Sequence, residues 1–342
     1  MRGMWRVSLT IAGRLALVLL LVGLTFLHGS GAGGSARSSN AATVFEFALI
    51  GDLGYTAEQD VWFANVLDEL NATPDLAFIV HDGDLWGAPY GGCRDEFYEA
   101  RLEWFQASAH PFIFVPGDND WTDCWQDRFG GYDQMDRLAL ERRLFYRDEF
   151  SLGQRKLPLL RQSTDPRYAD YRENVRWDYG GVTFVTLNIQ GSNDNRGTGP
   201  DGDEIEWTTR TTANLAWLAQ GFTHARQTGS RAVMLIMQAN PNFERPPERR
   251  TGYNEFLAAL ETETIAFERP VVLVHGDSHY FRIDKPLVSS VSGRVIENFT
   301  RVETFGQPNH HWVHVTVDDA DPSVFTFRQR IVESNLVDHT SR

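Results

Sequence analysis

Only two cysteines, Cys93 and Cys124, occur in 342 residues. A cysteine-rich zinc site needs more thiolates than that, so it is excluded. No cluster of lysine and arginine interrupts the chain, and its formal net charge is −14. Phosphate-backbone binding needs clustered cations, so no nucleic acid is expected as partner and a nuclease is disfavoured. Long apolar runs are scarce as well. The run Leu15–Leu27 spans only 13 residues, against about 20 for a membrane-spanning helix. No other segment is long and apolar enough to cross a bilayer, and no repeat of fixed period is present.

The short run has a telling context. Arg2, Arg6 and Arg14 precede it, and the small-residue stretch GSGAGGSARSSNAA follows. A basic start, a short apolar middle and small residues at a cleavage point are the pattern of a secretory signal peptide. Residues 1–36 are read as that peptide, with cleavage after Ala36 or Ala41. The alternative is an uncleaved anchor, which would be the only tie to a membrane. Export to a periplasm or to the medium brings both cysteines into an oxidising compartment. A disulfide is plausible there, and two free buried thiols are the alternative. The closed loop, about 31 residues, would contribute roughly 3 to 4 kcal/mol.

At 42% hydrophobic and 12% aromatic, the chain has enough apolar mass for a sizeable core. Residues 43–330 are read as one α/β domain and 331–342 as a C-terminal tail. Strands are expected at 43–50, 76–80, 111–115, 174–179, 182–188, 232–237 and 271–274, with Gly180-Gly181 turning a hairpin. Helices are expected at 57–70, 95–107, 135–150, 211–225 and 254–261, and a loop at 191–203. Segments 295–299, 312–317 and 323–327 read as antiparallel strands.

Polar loops follow the apolar runs five times: GDLG, HDGD, GDND, QANPN and HGDSH, between Gly51 and His279. Ligands of layered α/β proteins gather at the carboxyl ends of strands, so these loops are expected to share one site. Asp52, Asp84, Asp118, Asp120 and Asp277 brought together would repel unless cations neutralise them. One or two divalent metals are the natural cations. A pair of metals about 3.5 to 4 Å apart clamps a phosphoryl group and activates a water.

In order, spacing and strand context the loops resemble those of the calcineurin-like metallophosphoesterase superfamily. Its pattern is an Asp after the first strand, a GD loop, a GNH[DE] loop, a strand ending in His, and a GHxH loop. The first loop, running into Tyr55-Thr56, and His81 before the second GD are most similar to the purple acid phosphatase branch. The resemblance covers most of the chain beyond the leader. It implies a four-layer α/β/β/α sandwich, a dinuclear centre, and hydrolysis of phosphoric esters by a metal-activated water.

Carried over by position, Asp52 matches a ligand of the first metal, Asp84 the bridging carboxylate, and His279 the last His of GHxH. Gly54 stands where many members have a His. Gly87 stands where purple acid phosphatases have a Tyr, with Tyr90 near but off register. Asp118 replaces the ligand Asn, Gln238 the strand-end His, and Asp277 the first His of GHxH. These three offer oxygen, which favours Mn, Mg or Ca at the second site, while Fe or Zn remains compatible with the first. Asn119 replaces the catalytic His. An amide transfers no proton at neutral pH, so Asn119 is expected to orient the phosphoryl group. His81, Asp120 and His275 lie nearby in sequence and are read first as buried or capping groups.

The implied substrate is a phosphorylated small molecule or another phosphoester. The alternative is an exported cation-binding protein of this fold with little or no turnover. Among weaker signals, Trp86, Trp121 and Trp125 line the site's mouth or simply pack under loops. Ser192–Asn195 reaches over the site or is a surface loop. His310, His311 and His314 are read as structural, and Asn298-Phe299-Thr300 has the form of a glycosylation acceptor.

Overall fold

The computed structural model describes residues 44–199 and 203–337. The leader 1–36, both candidate cleavage positions and the end of the tail lie outside the described residues. Among those residues, no helix is long and apolar enough to cross a membrane.

The strands, in chain order, are β1 (Val44–Ile50), β2 (Leu76–His81), β3 (Phe112–Phe114), β4 (Leu160–Arg161), β5 (Val175–Tyr179), β6 (Val182–Thr186), β7 (Ala232–Ile236), β8 (Val271–His275), β9 (Arg282–Asp284), β10 (Phe299–Glu303), β11 (Trp312–Asp318) and β12 (Phe325–Arg330). They form two sheets, in the orders β12-β11-β1-β2-β3 and β4-β5-β6-β7-β8-β10-β9. Strands β1, β2 and β3 are parallel, as are β6, β7, β8 and β10.

Side chains on a strand alternate between its two faces, and here both faces are apolar. Phe47, Leu49, Phe78 and Val80 of the first sheet meet Phe184, Met234, Ile236 and Val274 of the second. On the outer face of the first sheet, Ala48, Ile50 and Ile79 pack with Phe63, Val66, Tyr98, Phe105 and Phe145. Those partners come from helices Asp60–Ala72, Asp95–Gln106 and Gln134–Phe145. Outside the second sheet, Val185, Val233, Leu235 and Leu273 pack with Phe222 of helix Glu204–Thr228 and Leu260 of helix Asn254–Phe267. Three apolar layers thus separate four structural ones, and the expected α/β/β/α sandwich is the fold observed. Caps define the helix ends. Asp133 accepts from the amides of Met135 and Asp136, Asp203 from those of Ile205 and Glu206, and Gly229 closes the long helix in a left-handed conformation.

Four boundaries differ from expectation. Helix 134–145 stops at Phe145, because Tyr146 leaves helical geometry and Phe150 bridges to Pro158. Helix 204–228 begins seven residues before the expected 211, in a polar stretch that periodicity overlooks. Residues 295–298 are not a strand. Strand β10 starts at Phe299 and runs parallel to β8, in the second sheet. Its sequence, FTRVE, hides a buried strand because Arg301 is fully enclosed and ion-paired with Asp284 (2.5 Å) and Glu244 (2.6 Å). Part of the expected tail, residues 331–337, folds back on the first helix. Val332 is buried there, and the Asn335 amide donates to the carbonyls of Trp62 and His310.

Cys93 and Cys124 form a disulfide with Cα atoms 5.7 Å apart. It ties the segment after β2 to the segment after β3, both of which enter the site. Replacing both by serine is expected to lower the unfolding free energy by about 3 to 4 kcal/mol, measured by chemical denaturation.

Candidate metal centre

The loops leaving β1, β2, β3, β6, β7 and β8 meet at the carboxyl ends of the parallel strands. Backbone strain marks the meeting point. Asp52 (φ 54°), Asp84 (φ 61°), Asp277 (φ 72°) and His279 (φ 59°) all take the left-handed conformation. Each such residue costs about 1 to 3 kcal/mol and persists only where its surroundings hold it. The glycine before each Asp has its own reason. A Cβ on Gly117 would stand 2.0 Å from the Asp84 carboxylate, and one on Gly276 would stand 1.9 Å from that of Asp52. Gly51, Gly117 and Gly276 each make room for a carboxylate from another loop, and Gly83 makes room for the Gln238 side chain.

Among the described residues, one group brings three carboxylate or imidazole ligand atoms within 4.8 Å of one another: Asp52, Asp84 and His279. Nδ1 of His279 lies 2.7 Å from the Gln307 carbonyl. A carbonyl only accepts, so Nδ1 carries the proton and Nε2 faces the cluster, 3.4 Å from Asp52 Oδ1. Burial works against charge on His279, but the bond to Asp52 outweighs it and raises the pKa to about 9. Burial, then Asp118 and Asp52, push the Asp84 carboxyl well above the ordinary carboxylate range. Carboxylates crowded out of water hold protons until a cation replaces them.

The fourth member of the cluster was not anticipated. The Tyr55 hydroxyl lies 3.1 Å from Asp52 Oδ1 and 3.2 Å from His279 Nε2, and donates to Asp84 Oδ2. Metal–ligand bonds of about 2.0 to 2.2 Å in a tetrahedron put ligand atoms about 3.3 to 3.6 Å apart. The Tyr55 separations of 3.1 and 3.2 Å from Asp52 and His279 are close to that, while its contact with Asp84 is shorter, so its hydroxyl sits among the ligand atoms. Its ring also explains Gly87: a Cβ there would be 2.6 Å from Tyr55 Cδ2. The tyrosine beside the cluster thus stands three residues after Asp52, not three residues after Asp84. Tyr90, the off-register candidate, donates to Asp60 at 2.5 Å. Tyr55→Phe keeps the ring on Gly87 and removes the hydroxyl. It is expected to weaken divalent-cation binding at least tenfold with little change in folding stability, measured by calorimetric titration and thermal unfolding.

The third loop supports the second. The Asn119 side-chain amide donates to Asp84 Oδ2 at 2.9 Å, and its backbone N–H to Asp84 Oδ1 at 3.1 Å. Asp120 accepts from the amides of Asp84, Leu85 and Gly117, at 3.1, 2.7 and 2.6 Å, so it knits the loops together. His81 and His275 are enclosed, and burial pushes each down to about 3. Both stay neutral, and His81 is walled in by Phe105 and Phe114. Trp86 and Trp121 are core residues, with Trp86 edge-on to Tyr98, and do not line a mouth. His310 accepts from the Gly54 amide and His311 from that of Val332, both structural roles. The side-chain nitrogen of Asn298 is held by the Thr264 and Arg269 carbonyls.

Asp118, Gln238 and Asp277, expected to hold a second metal, are neighbours, and most of their polar atoms are engaged by the protein. Gln238 Oε1 accepts from Gly191 N–H at 2.6 Å, and its nitrogen faces Asp118 Oδ1 at 3.2 Å. Asp118 Oδ2 accepts from Ser192 Oγ at 3.0 Å, and Asp277 Oδ2 from the Asn240 amide at 2.9 Å. The residues of the first cluster fit a divalent cation; this set, with the Gln238 nitrogen turned to Asp118, fits one less well. Ser192–Asn195 is no mere surface loop: it is a left-handed turn with Ser192 bonded to Asp118 and Asp123.

The sequence matches no family model and no curated protein. A solved structure described as "Structure of PhoD" superposes with a TM-score of 0.51 at 13% identity, covering 84% of this chain and 68% of that one. "GAP50 the anchor in the inner membrane complex of Plasmodium" gives 0.46 at 11%, covering 85% and 89%. The 5'-nucleotidase from Candida albicans SC5314 gives 0.44 at 9%, covering 85% of this chain and 52% of its own. The likeness to PhoD is a likeness of fold, a sandwich of two sheets between helices.

Proposed function

We propose that this protein is an exported, metal-dependent hydrolase of phosphoric esters. The observation that carries the reading is the cluster of Asp52, Tyr55, Asp84 and His279, drawn from three loops and held on strained backbone. A divalent cation bound there would polarise a phosphoryl oxygen and lower the pKa of a water. The chain's own residues do the rest. Gln307 fixes the His279 tautomer, and Asp120 fixes the approach of the Asp84 loop. Asn119 uses one amide hydrogen on Asp84 and has a second for a phosphoryl oxygen. Among the described residues, Asn119 and not an imidazole stands at the third loop beside Asp84, so esters with good leaving groups are the expected substrates. Export agrees with the disulfide.

That same gap favours a second reading, a cation-binding protein of this fold with little turnover. Hydrolysis of p-nitrophenyl phosphate and of its bis-ester with Mn²⁺ or Mg²⁺ separates the two. Turnover that EDTA abolishes supports the hydrolase, and none with either cation supports the binder.

A further inference from the structure

We propose that the centre takes one divalent cation per chain, and that the turn following β6 fills the place of a second. The proposal rests on the reading of Asp52, Tyr55, Asp84 and His279 as the cation cluster. Its independent support is the turn itself. Gly191 sits in the gap between the second-site carboxylates. A Cβ built on it would lie 2.5 Å from Asp118 Oδ2 and 2.8 Å from Asp277 Oδ1. The Gly191 backbone therefore borders the space between the two groups that would have to grip an ion together.

The hydrogen bonds fix the polarity of this arrangement. Gly191 N–H can only donate, so the Gln238 atom 2.6 Å away must be its oxygen. The Gln238 nitrogen then necessarily faces Asp118. Flipping the amide to present oxygen to a cation would set donor against donor at Gly191. An N–H₂ group cannot ligate a cation, whereas it can do what a cation does for Asp118, which is to stabilise the carboxylate. Ser192 does the same for the other oxygen of Asp118.

The turn is braced, not incidental. Ser192, Asn193, Asp194 and Asn195 all have φ between 51° and 62°. Arg210, fully buried, holds Asp194 through its side chain at 2.5 Å and through its carbonyl at 2.8 Å. The Tyr253 hydroxyl donates to the Gln190 carbonyl at 3.0 Å. Four consecutive left-handed residues are costly and persist only because these contacts impose them. Opening the second site would mean undoing all of them.

The test is cation stoichiometry, read on the purified protein after chelation and return of Mn²⁺ alone. Elemental analysis after gel filtration is expected to give one Mn²⁺ per chain, with the six-line electron paramagnetic resonance spectrum of an isolated ion. Two per chain, with an exchange-coupled spectrum, overturns the single-cation inference and leaves the hydrolase reading standing. No bound Mn²⁺, Mg²⁺ or Ca²⁺ overturns both. Gln238→Leu is expected to keep the count at one and the first-site Kd within about threefold. A loss of that ion in Gln238→Leu, while the fold remains intact by circular dichroism, would show that Gln238 is a ligand and overturn the inference.

Discussion

Asp84→Asn is expected to lower kcat/KM by about 10³-fold or more while raising the melting temperature measured in EDTA. The activity loss follows from the cluster. Asp84 is the carboxylate on which Tyr55 and Asn119 converge, and it shares a 4.8 Å group with Asp52 and His279. Losing a cation's stabilisation of developing charge removes several kcal/mol, and each 1.36 kcal/mol is tenfold in rate. The stability gain has the opposite origin. Burial and the neighbouring carboxylates raise the Asp84 pKa well above its ordinary value. A carboxyl with a raised folded-state pKa favours the fold when protonated. That contribution is complete below the unfolded pKa and is lost as pH rises through the folded one. At neutral pH, above the unfolded pKa, burying this carboxyl without a cation is therefore a cost, which a neutral amide does not carry. Added Mn²⁺ should raise the melting temperature of the parent protein and leave that of the variant unmoved. A variant that is merely misfolded would lose melting temperature as well as activity.

Gly276→Ala is expected to lower cation affinity and kcat/KM by about 100-fold although it touches no ligand chemistry. The added Cβ would stand 1.9 Å from Asp52 Oδ2 and 3.2 Å from Asp82 Oδ1. Neither acid can swing out to solvent, since both are fully buried and Asp82 is held by Thr304. Asp52 must move by roughly 1 Å, and a displacement of that size at a reacting centre costs about 10²-fold. Calorimetric titration with Mn²⁺ and a comparison with Ser278→Ala, which changes an exposed neighbour, would separate this effect from general damage to the loop.

The sandwich was legible in the sequence because its strands are apolar on both faces and each ends in a polar loop. VFEFALI, LAFIV and AVMLI need no tertiary context to be read. Strand β10 did, since only the ion pairs of Arg301 make its burial tolerable. Asp52, Asp84 and His279 were legible as loop residues after strands, and the structure brings them together. Tyr55 carried the same signal, a tyrosine three residues after a strand-end Asp, but on the first loop where it was not sought. Gly87 looked like a lost ligand, but it has a packing reason of its own, since it makes room for the Tyr55 ring. The second-site residues are less legible for another reason. Asp118, Gln238 and Asp277 all present oxygen on paper, but the direction of an amide and the path of a left-handed turn are fixed by contacts up to 120 residues apart. Spacing alone does not encode them.

The central claim is that Asp52, Tyr55, Asp84 and His279 hold the divalent cation on which turnover depends. The direct measurement is the rate of p-nitrophenyl phosphate or bis-ester hydrolysis by EDTA-treated protein as Mn²⁺ is returned. The account predicts a rate that climbs from background and saturates along the same curve as Mn²⁺ binding, with neither seen in Asp84→Asn. Hydrolysis indifferent to EDTA, or no hydrolysis when Mn²⁺ is saturating, would contradict it.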